Sequence, residues 1–281
     1  MITLNYSMQS MPELSDREFR LLSRLIYEQS GISLGEHKQS LVRARLARRL
    51  RVLRIPTFKK YYDFVMSGEE GSNEIQHLLD AISTNLTEFF REPAHFEYLK
   101  KVFFPRWKKE PHLRILSAGC STGEEPYSIA ICAREALGVE ATPRVRISAG
   151  DICTRALARA KSGVYELEKI KSISGERLHA SFLRGTGSNS GLVSVSPELR
   201  ASIDFFPLNL TEPLPFNTTF HAIFCRNVAI YFDRPTRTKV FEKLGRHLAP
   251  DGTLFVGHAE SMSEFNREYE YVQPSVYLRK R

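Results

Sequence analysis

Hydrophobic residues follow two different periodicities along the chain. In the N-terminal third the apolar positions recur at intervals of three and four, which predicts amphipathic helices. From Leu113 onward, short apolar runs alternate with helical patterns, as is typical of a parallel sheet with helices on both faces. The pattern predicts an all-helical domain over residues 1–92, a linker over 93–112 and an α/β domain over 113–281.

Four helices are predicted in the N-terminal part. The first begins at a capping box formed by Ser15 and Glu18, and Gly31 ends it because glycine readily adopts the left-handed conformation that follows a helix. The other three are predicted over residues 36–54, 58–66 and 73–83. Each carries its apolar residues on one face, so the four helices can share a small core.

The strands predicted for the α/β domain are apolar runs bounded by turn residues. They cover residues 113–117, 145–149, 203–208, 221–226 and 253–257. Two later runs, 269–272 and 275–278, predict a closing hairpin. That hairpin would place one antiparallel strand in an otherwise parallel sheet.

Residues 182–208 fit neither domain pattern. A glycine-rich turn precedes two runs in which apolar and polar residues alternate, one around Val193 and one around Ile203. We expect these runs to form a small antiparallel β-subdomain inserted at about this position. The alternative is a surface excursion without a role.

The loop after the first predicted strand carries the most chemical information. Gly119 and Gly123 lie where this strand turns into a helix, so the backbone can approach a ligand closely. The glycine spacing is not that of a dinucleotide-binding loop, and Glu124 and Glu125 do not suit a pyrophosphate. A cofactor with a cationic end, such as S-adenosylmethionine, would accommodate these acids. The alternative is an ordinary turn whose acids meet the positive end of the helix dipole.

Asp151 follows the second strand of the α/β domain. An acid at this position of a strand–helix–strand unit is placed to bind the hydroxyl groups of a ribose. Together with the glycine loop, Asp151 indicates a cofactor that contains a nucleoside.

Length, cysteine usage and charge narrow the class of protein. The chain has 281 residues, enough for one large or two modest domains, and we expect neither a membrane-spanning segment nor a signal peptide. The four cysteines are Cys120, Cys132, Cys153 and Cys225. They lack Cys-x-x-Cys spacing, which indicates reduced thiols in a cytoplasmic protein and offers little support for a metal site. The formal net charge of +8 favours an acidic partner without identifying its kind.

Five motifs occur in an order that resembles a known family. They lie at residues 84–91 (TNLTEFFR), 121–128 (STGEEPYS), 225–232 (CRNVAIYF), 250–252 (PDG) and 257–261 (GHAES). From about residue 12 to the C-terminus the chain resembles the chemotaxis receptor methyltransferases, the CheR family. The resemblance implies transfer of a methyl group from S-adenosylmethionine to glutamate side chains of bacterial chemoreceptors, with S-adenosylhomocysteine as the product.

The resemblance also implies a fold class. We expect an α/β fold with a class I methyltransferase-like doubly wound sheet, an N-terminal all-helical domain and a small antiparallel β-subdomain inserted at about 182–208. The predicted closing hairpin agrees, because an antiparallel strand in the sheet distinguishes methyltransferase folds from dinucleotide-binding folds. The methyl donor is therefore favoured over a nicotinamide.

Arg91 and Tyr231 are the candidates for orienting the acceptor carboxylate. A guanidinium can hold a carboxylate in a fixed geometry, and Tyr231 follows a strand end, where ligands of α/β proteins bind. The alternatives are a structural salt bridge for Arg91 and an amphipathic core residue for Tyr231. Because ionised glutamate needs no strong base, the lack of a catalytic triad is compatible with this chemistry.

Matching the family's motifs assigns the cofactor site residue by residue. The implied cofactor-binding residues are Asn85, Thr87, Arg91, Glu125, Asp151, Asn209, Leu210, Asn227 and Val228. In this assignment Asp151 binds the ribose hydroxyls, while Asn209 and Leu210 contact the adenine. Asn209 has an alternative role, since an asparagine at this point can cap a turn.

A basic helix and the inserted sheet are the candidate partner surfaces. Arg43, Arg48 and Arg51 lie on the predicted helix 36–54, and the resemblance implies that this helix docks on the acidic methylation helices of a receptor. A solvated helix face is the alternative. The resemblance further implies that the β-subdomain binds a receptor C-terminal peptide by strand addition. We expect a monomer, and no nucleic-acid partner, because no nucleic-acid motif is evident.

Two competing functions stay open at the level of sequence. A nucleic-acid methyltransferase would use the basic helix to hold phosphates, but the sequence has no Asn/Asp-Pro-Pro-Tyr/Phe motif for amino-group methylation. A non-catalytic regulator would bind the cofactor and report its level to a partner. The presence of Arg91 and Tyr231 argues against that second alternative.

Overall fold

A computed structural model describes residues 12–260, 262 and 268–280. The chain forms two compact units, one ending at Ser83 and the other beginning at Thr84, and each has its own hydrophobic core. The prediction that no signal peptide is present concerns N-terminal residues that lie outside the described ones. Ser261 of the last motif also lies outside them.

The first unit is all-helical, as its periodicity predicts. Its elements are α1 (Asp16–Ser30), a 3₁₀ turn (Glu36–Lys38), α2 (Gln39–Leu53), α3 (Phe58–Val65) and α4 (Gly68–Ile82). Ser15 and Glu18 form the predicted capping box, and Gly31 ends α1 with a φ of +73°. Helix α4 begins at Gly68, five residues before the predicted start. The prediction began late because the first turn carries no apolar residue that would indicate a helix.

Several arginines of α2 bind within the first unit. Arg49 forms a bidentate ion pair with the buried Glu74, with N–O distances of 2.9 and 2.6 Å. Arg45 donates to carbonyl groups at the end of α4, which a helix terminus otherwise leaves without partners. Part of the basic character of α2 is therefore internal to this unit.

The second unit alternates strands and helices. Its helices are α5 (Pro93–Tyr98), α6 (Phe104–Arg106), α7 (Glu124–Leu137), α8 (Thr154–Ser162), α9 (Gly175–Ser181), α10 (Pro197–Arg200) and α11 (Arg234–Arg246). Its strands are β1 (Leu113–Ala118), β2 (Val145–Asp151), β3 (Val164–Glu166), β4 (Phe182–Arg184), β5 (Leu192–Val195), β6 (Ile203–Pro207), β7 (Phe220–Cys225), β8 (Leu248–Val256), β9 (Tyr269–Gln273) and β10 (Val276–Arg279). Every strand predicted from the apolar runs is present.

Seven of the described strands form one sheet in the order β6-β2-β1-β7-β8-β10-β9. The first five are parallel to one another, whereas β10 is antiparallel to both β8 and β9. Every residue of β7 is buried, as expected for a parallel strand covered on both faces. The closing hairpin therefore places an antiparallel strand inside the sheet, which confirms the predicted fold class.

A separate sheet of three short antiparallel strands forms the predicted β-subdomain, in the order β3-β5-β4. Strands β4 and β5 lie within the predicted insert, but β3 precedes it. The run around Ile203 was predicted both as a strand of the main sheet and as part of the small inserted sheet. In the structure it belongs to the main sheet, as the edge strand β6. Alternation of apolar and polar residues is equally typical of an edge strand with one exposed face, so the pattern does not distinguish the two.

The segment before β1, which was predicted as a linker made of a helix and a loop, is mostly helical. Helix α5, a π-helical turn (Leu99–Phe103) and α6 follow one another, and their aromatic side chains together with Leu99 are buried in the core of the second unit. The structure thus differs from the predicted linker over 93–112, and the second unit begins at Thr84 rather than after residue 92. The aromatic residues of this segment pack with the sheet, which explains its composition.

Candidate functional site

The parallel strands of the main sheet end at one edge, and the predicted site residues follow those ends. Strands β1 and β2 pair so that Ala118 lies beside Gly150, and β2 and β6 pair so that Asp151 lies beside Pro207. Strand β7 pairs with β1 on its other side. The loops after four neighbouring strands therefore meet where open α/β sheets bind their ligands.

The glycine loop after β1 is closely packed. Gly119 has a φ of +92°, and its N–H donates to the carbonyl of Gly150 at 2.8 Å. A Cβ atom at this position would lie 2.3 Å from Cγ2 of Val228, so any other residue would displace the Val228 side chain. Gly123, with a φ of +96°, immediately precedes α7. Backbone conformation and close approach both require glycine in this loop.

The Asp151 carboxylate joins two loops at the strand ends. Oδ2 accepts a hydrogen bond from the N–H of Ser121 at 2.7 Å, and Oδ1 accepts one from the N–H of Cys153 at 2.8 Å. The residue is buried. Backbone donors thus hold this carboxylate at the end of β2 in a fixed orientation, as the predicted ribose-binding role requires.

Asn209 and Leu210 follow β6 at the same edge. Oδ1 of Asn209 accepts hydrogen bonds from the N–H and the hydroxyl of Thr211, at 3.1 and 2.7 Å, so this residue forms the turn cap that was the alternative to a cofactor contact. Leu210 is buried, and its carbonyl accepts a hydrogen bond from Lys243 at 2.9 Å. The contact of both residues with adenine stays a prediction.

The chain between Asn85 and Arg91 lies at the same edge of the sheet. Nδ2 of Asn85 donates to Sγ of Cys153 at 3.3 Å, just beyond β2. The Arg91 guanidinium donates to the carbonyl of Leu86 at 3.1 Å. Asn85, Thr87 and Arg91 are all partly exposed, so each is accessible to a ligand.

Arg226, directly after β7, forms a buried ion-pair centre that sequence analysis missed. Its guanidinium lies 3.0 Å from Oε2 of Glu125 and 3.1 Å from Oε2 of Glu92, and it also donates to the carbonyl of Arg91. Ser117 donates a hydrogen bond to the other oxygen of Glu125 at 2.7 Å. Arg226, which is 5% exposed, therefore connects the start of α7 with the segment before α5.

Burial and ion pairing act in opposite directions on these two carboxyl groups. Burial is the larger effect on Glu125 and raises its pKa above the ordinary value, although Arg226 opposes it. Burial also acts to raise the pKa of Glu92. The Arg226 guanidinium and two nearby histidines together have the larger opposite effect, so the pKa of Glu92 lies below its ordinary value. The lowered pKa keeps Glu92 ionised beside Arg226 at neutral pH.

Glu92, His95 and His258 are close enough to share a metal ion, since their ligand atoms lie within 4.8 Å of one another. His95 is completely buried, and burial, followed by the charge of Arg226, lowers its pKa to about 4. Arg226 lies 3.1 Å from the same Glu92 oxygen that faces both histidines. Because this guanidinium already supplies positive charge there, we assign Glu92 to an ion pair with Arg226.

Glu260 is a further buried carboxylate at this edge, and its role was not predicted. Its oxygens accept backbone hydrogen bonds from Asn227, Val228 and Ala229, at 2.9, 3.0 and 2.7 Å, and from Gly257 at 2.6 Å. The side chain thereby holds the loop after β7 to the loop after β8. Asn227 and Val228, both predicted cofactor residues, belong to the loop that it holds.

Tyr231 closes a short 3₁₀ turn (Ala229–Tyr231) after that loop. Its N–H donates to the carbonyl of Val228 at 3.1 Å, and the residue is partly exposed. The neighbouring Ile230 is 50% exposed. The role of Tyr231 in orienting an acceptor stays a prediction.

The three predicted docking arginines belong to the first unit and differ in their surroundings. Arg43 donates to the carbonyl of Pro12 at 2.8 Å and pairs with Glu13 at 2.7 Å. Arg48 and Arg51 are exposed on α2. Arg48 and Arg51 are therefore better placed than Arg43 to meet a partner.

Comparison with known families decides the class of this protein. Residues 17–83 match the all-alpha domain of CheR methyltransferase, and residues 85–278 match the CheR methyltransferase SAM binding domain. The chain belongs to the CheR family.

The similarity to CheR proteins extends over most of the chain. The chemotaxis protein methyltransferases of Salmonella typhimurium strain LT2 and Escherichia coli strain K12 are each 42% identical over 269 residues, which is 94% of this chain and 90% and 91% of theirs. The solved structure of a glycopeptide N-methyltransferase complexed with sinefungin has a TM-score of 0.37 and 11% identity, covering 61% of this chain and 50% of that one. That structural likeness is too low to inform on the site.

Membership of the CheR family confirms the predicted family and the predicted cofactor. The protein is a methyltransferase that uses S-adenosylmethionine. The residues fit this cofactor, because the glycines let the backbone of the loop approach a ligand closely and the Asp151 carboxylate is oriented at the adjacent strand end. Among the described residues, no helix combines the length and the apolar character needed to cross a membrane.

Proposed function

We propose that this CheR protein methylates glutamate side chains of chemoreceptors and forms glutamate methyl esters. The observation that carries the proposal is the identity with two chemotaxis protein methyltransferases, which extends across both units of the chain. A carboxylate acceptor also suits a site with an accessible arginine, because a guanidinium binds carboxylates with defined geometry.

When bound, S-adenosylmethionine supplies an electrophilic methyl group, and its transfer to an ionised carboxylate requires no proton removal. The protein's residues therefore have to position the acceptor, hold the donor and exclude water. A dedicated general base is unnecessary for this acceptor, in contrast to a hydroxyl or an ammonium group.

The proposed cofactor residues come from the loops after β1, β2, β6 and β7 and from the segment before α5. They are Asn85, Thr87, Arg91, Glu125, Asp151, Asn209, Leu210, Asn227 and Val228. Asp151 would bind the ribose hydroxyls, because backbone donors already orient its carboxylate. Glu125, held by Ser117 and Arg226, would lie near the cationic end of the cofactor.

Arg91 and Tyr231 are proposed to orient the acceptor glutamate. A guanidinium has five N–H donors, and the bond to the Leu86 carbonyl uses one of those of Arg91, so a bidentate contact with a carboxylate is compatible with it. The Tyr231 hydroxyl would donate to the same carboxylate. Its backbone is bound to Val228, in the loop after β7.

Docking on receptor helices is proposed for the exposed arginines of α2. Helices that carry methylatable glutamates are acidic, and Arg48 and Arg51 offer an exposed basic surface of opposite charge. Arg43 would contribute only by exchanging its bonds to Pro12 and Glu13 for bonds to the receptor.

The three-stranded sheet is proposed to bind a receptor C-terminal peptide by strand addition. Strand β4 is an outer strand of this sheet, and its Leu183 is 56% exposed. An outer strand presents backbone groups that an extended peptide can pair with.

The test is transfer of labelled methyl from S-adenosylmethionine to a chemoreceptor cytoplasmic fragment, followed by mild alkali. Carboxyl methyl esters are cleaved by alkali, so label that appears on the fragment and is then released supports the proposal. A fragment whose candidate glutamates are changed to alanine serves as the control and should accept no label.

Two results would contradict the proposal. Label that resists alkali would lie on nitrogen or another stable acceptor, and the carboxylate assignment would be wrong. Absence of label, while calorimetry detects cofactor binding, would exclude the fragment as the acceptor.

A further inference from the structure

Glu260 has no part in the proposed chemistry, yet its carboxylate has an unusually complete set of donors. Oε2 accepts from the N–H groups of Gly257 and Asn227, at 2.6 and 2.9 Å, and Oε1 accepts from those of Val228 and Ala229, at 3.0 and 2.7 Å. The residue is 5% exposed. Hydrogen bonds to an ionised acceptor are stronger than neutral ones, so this side chain is a firm link between the ends of β7 and β8.

The donors after β7 form a nest, a concave group of N–H donors that binds an anion. Asn227 has a left-handed backbone with a φ of +59°, and Val228 follows with φ −113° and ψ −44°. Consecutive residues of opposite hand direct successive N–H groups toward one point. The chain supplies the anion for this nest itself, in the form of Glu260, and so offsets the cost of the left-handed residue.

The loop that Glu260 holds carries residues proposed for the reaction. Asn227 and Val228 belong to the proposed cofactor site, and the Val228 carbonyl accepts the N–H of Tyr231 at 3.1 Å. Val228 also lies against the glycine loop, where a Cβ on Gly119 would be 2.3 Å from its Cγ2. The position of the Glu260 carboxylate therefore affects one wall of the cofactor site and the turn that ends at Tyr231.

We propose that Glu260 is a positioning residue for methyl transfer, acting through the loop 227–229 without touching cofactor or acceptor. Its effect on kcat rests on the proposed function, whereas its effect on cofactor affinity does not depend on the acceptor. Negative charge rather than side-chain size should matter, because four N–H donors converge on the carboxylate. Small displacements of such a loop are expected to impair alignment of the reacting groups.

Two variants of the full chain test this proposal. In Glu260→Gln an amide NH₂ faces backbone donors, and we expect about tenfold weaker binding of S-adenosylhomocysteine by calorimetry and about tenfold lower kcat at a temperature well below Tm. In Glu260→Ala, formate should occupy the nest and restore part of the affinity and of kcat in a saturable way. Chloride at the same ionic strength should not restore either quantity.

Glu270→Gln, on an exposed position of β9, is the matched control and should leave both the affinity and kcat unchanged.

Hydrogen exchange of the wild-type protein gives a measurement that does not depend on whether the variants fold. The amides of Val228 and Ala229 should be strongly protected, since both bond the buried carboxylate. Rapid exchange at both would overturn the proposal. Wild-type affinity and kcat in Glu260→Gln would overturn it as well, as would a folded Glu260→Ala variant that formate does not restore.

The failure of this inference and that of the proposed function are distinguishable. If Glu260→Gln loses affinity for S-adenosylhomocysteine while the wild type transfers no alkali-labile methyl to a receptor fragment, the positioning role stands and the acceptor is wrong. If the wild type methylates the fragment and the variant equals it in affinity and kcat, the acceptor stands and the positioning role is wrong.

Discussion

Arg226 and Glu260 illustrate how buried charges organise the ends of the strands. Arg226 is paired with two carboxylates, Glu92 and Glu125, whereas Glu260 is surrounded by backbone N–H donors. Both arrangements depend on these partners, because a buried charge that loses its partner is costly. Single substitutions at these residues should therefore have large effects on stability.

Arg226→Met should lower the free energy of unfolding by about 3–5 kcal/mol, because Glu92 and Glu125 would stay buried without their cation. Urea unfolding at neutral pH measures the loss. Adding Glu92→Gln to the same chain should recover part of it, since one uncompensated carboxylate disappears. A loss of less than about 1 kcal/mol, the range of an exposed pair, would mean that the ion pair is effectively solvated.

His95 should make stability depend on pH between about 4 and 6.5. Its pKa is lowered from 6.5 to about 4 in the folded protein, by burial and by Arg226, while Glu92 opposes the shift. As the pH falls through this window the unfolded chain binds a proton that folded His95 does not, so the free energy of unfolding decreases, by up to about 1.4 kcal/mol per pH unit.

Unfolding measured across this pH range checks the expectation. His95→Phe should flatten the dependence, because an aromatic ring remains between its neighbours without a titratable group. His179→Gln, at an exposed position of α9, should leave the dependence as it is in the wild type. An unchanged slope in His95→Phe would assign the pH dependence to other groups.

Asp151→Asn should weaken binding of S-adenosylhomocysteine by about ten- to a hundredfold, because hydrogen bonds to a charged acceptor contribute about 1.5–3 kcal/mol. Calorimetry measures the affinity directly. Asp204→Asn, an exposed position on the neighbouring strand β6, is the matched control. Equal affinities for the two variants would remove the support for Asp151 as the ribose-binding residue.

At the scale of elements, the small sheet supports the site in addition to its proposed role in peptide binding. The Phe89 ring lies 5.0 Å from that of Tyr165 in β3 and 5.4 Å from that of Phe182 in β4, in edge-on contacts. The Tyr165 hydroxyl donates to the carbonyl of Thr122 in the glycine loop at 2.7 Å. The sheet therefore contacts both the segment that contains Arg91 and the cofactor loop.

Tyr165→Phe should lower the free energy of unfolding by about 1 kcal/mol, because the Thr122 carbonyl loses its hydrogen bond. We also expect a few-fold loss of affinity for S-adenosylhomocysteine, since the glycine loop would be less well held. Thermal unfolding and calorimetry measure the two effects. Tyr271→Phe, which removes an exposed hydroxyl, should change neither, and an unaltered Tyr165→Phe variant would separate the small sheet from the cofactor loop.

At the scale of the whole molecule, the two units carry different parts of the proposed function. The second unit contains all the predicted cofactor and orienting residues, and the first contains the basic helix α2. Of the arginines on this helix, Arg45 and Arg49 bind within the unit, and Arg48 and Arg51 are exposed. Docking and cofactor binding should therefore be separable by mutation.

The double variant Arg48→Glu/Arg51→Glu should reduce methylation of a receptor fragment by about tenfold at low ionic strength and less at high salt, because screening weakens attraction between exposed charges. Its affinity for S-adenosylhomocysteine should equal that of the wild type. Arg20→Glu/Lys109→Glu, at other exposed positions, changes the net charge by the same amount and should methylate normally. Equal losses in both double variants would indicate a general charge effect rather than a docking surface.

Much of the fold follows from local signals. The capping box at Ser15, the glycine after α1 and the apolar runs of the main sheet are each defined by residues within a few positions of one another, and all were predicted. The run around Ile203 was ambiguous, since its alternation suits the edge of either sheet. Residues 93–112 were predicted as a linker, because the burial of their helical part depends on a sheet formed by later residues.

The sequence by itself determined the family, the cofactor, the order of strands and helices and the positions of the site motifs, because these depend on residue types at short and regular spacings. Only the tertiary structure decided which charges meet. Arg226 reaches Glu125 across 101 positions of the chain, and Glu260 joins the ends of two adjacent strands. Such pairs form because strand pairing and burial bring distant parts of the chain together. The residues next to each partner in the sequence therefore give no sign of the contact.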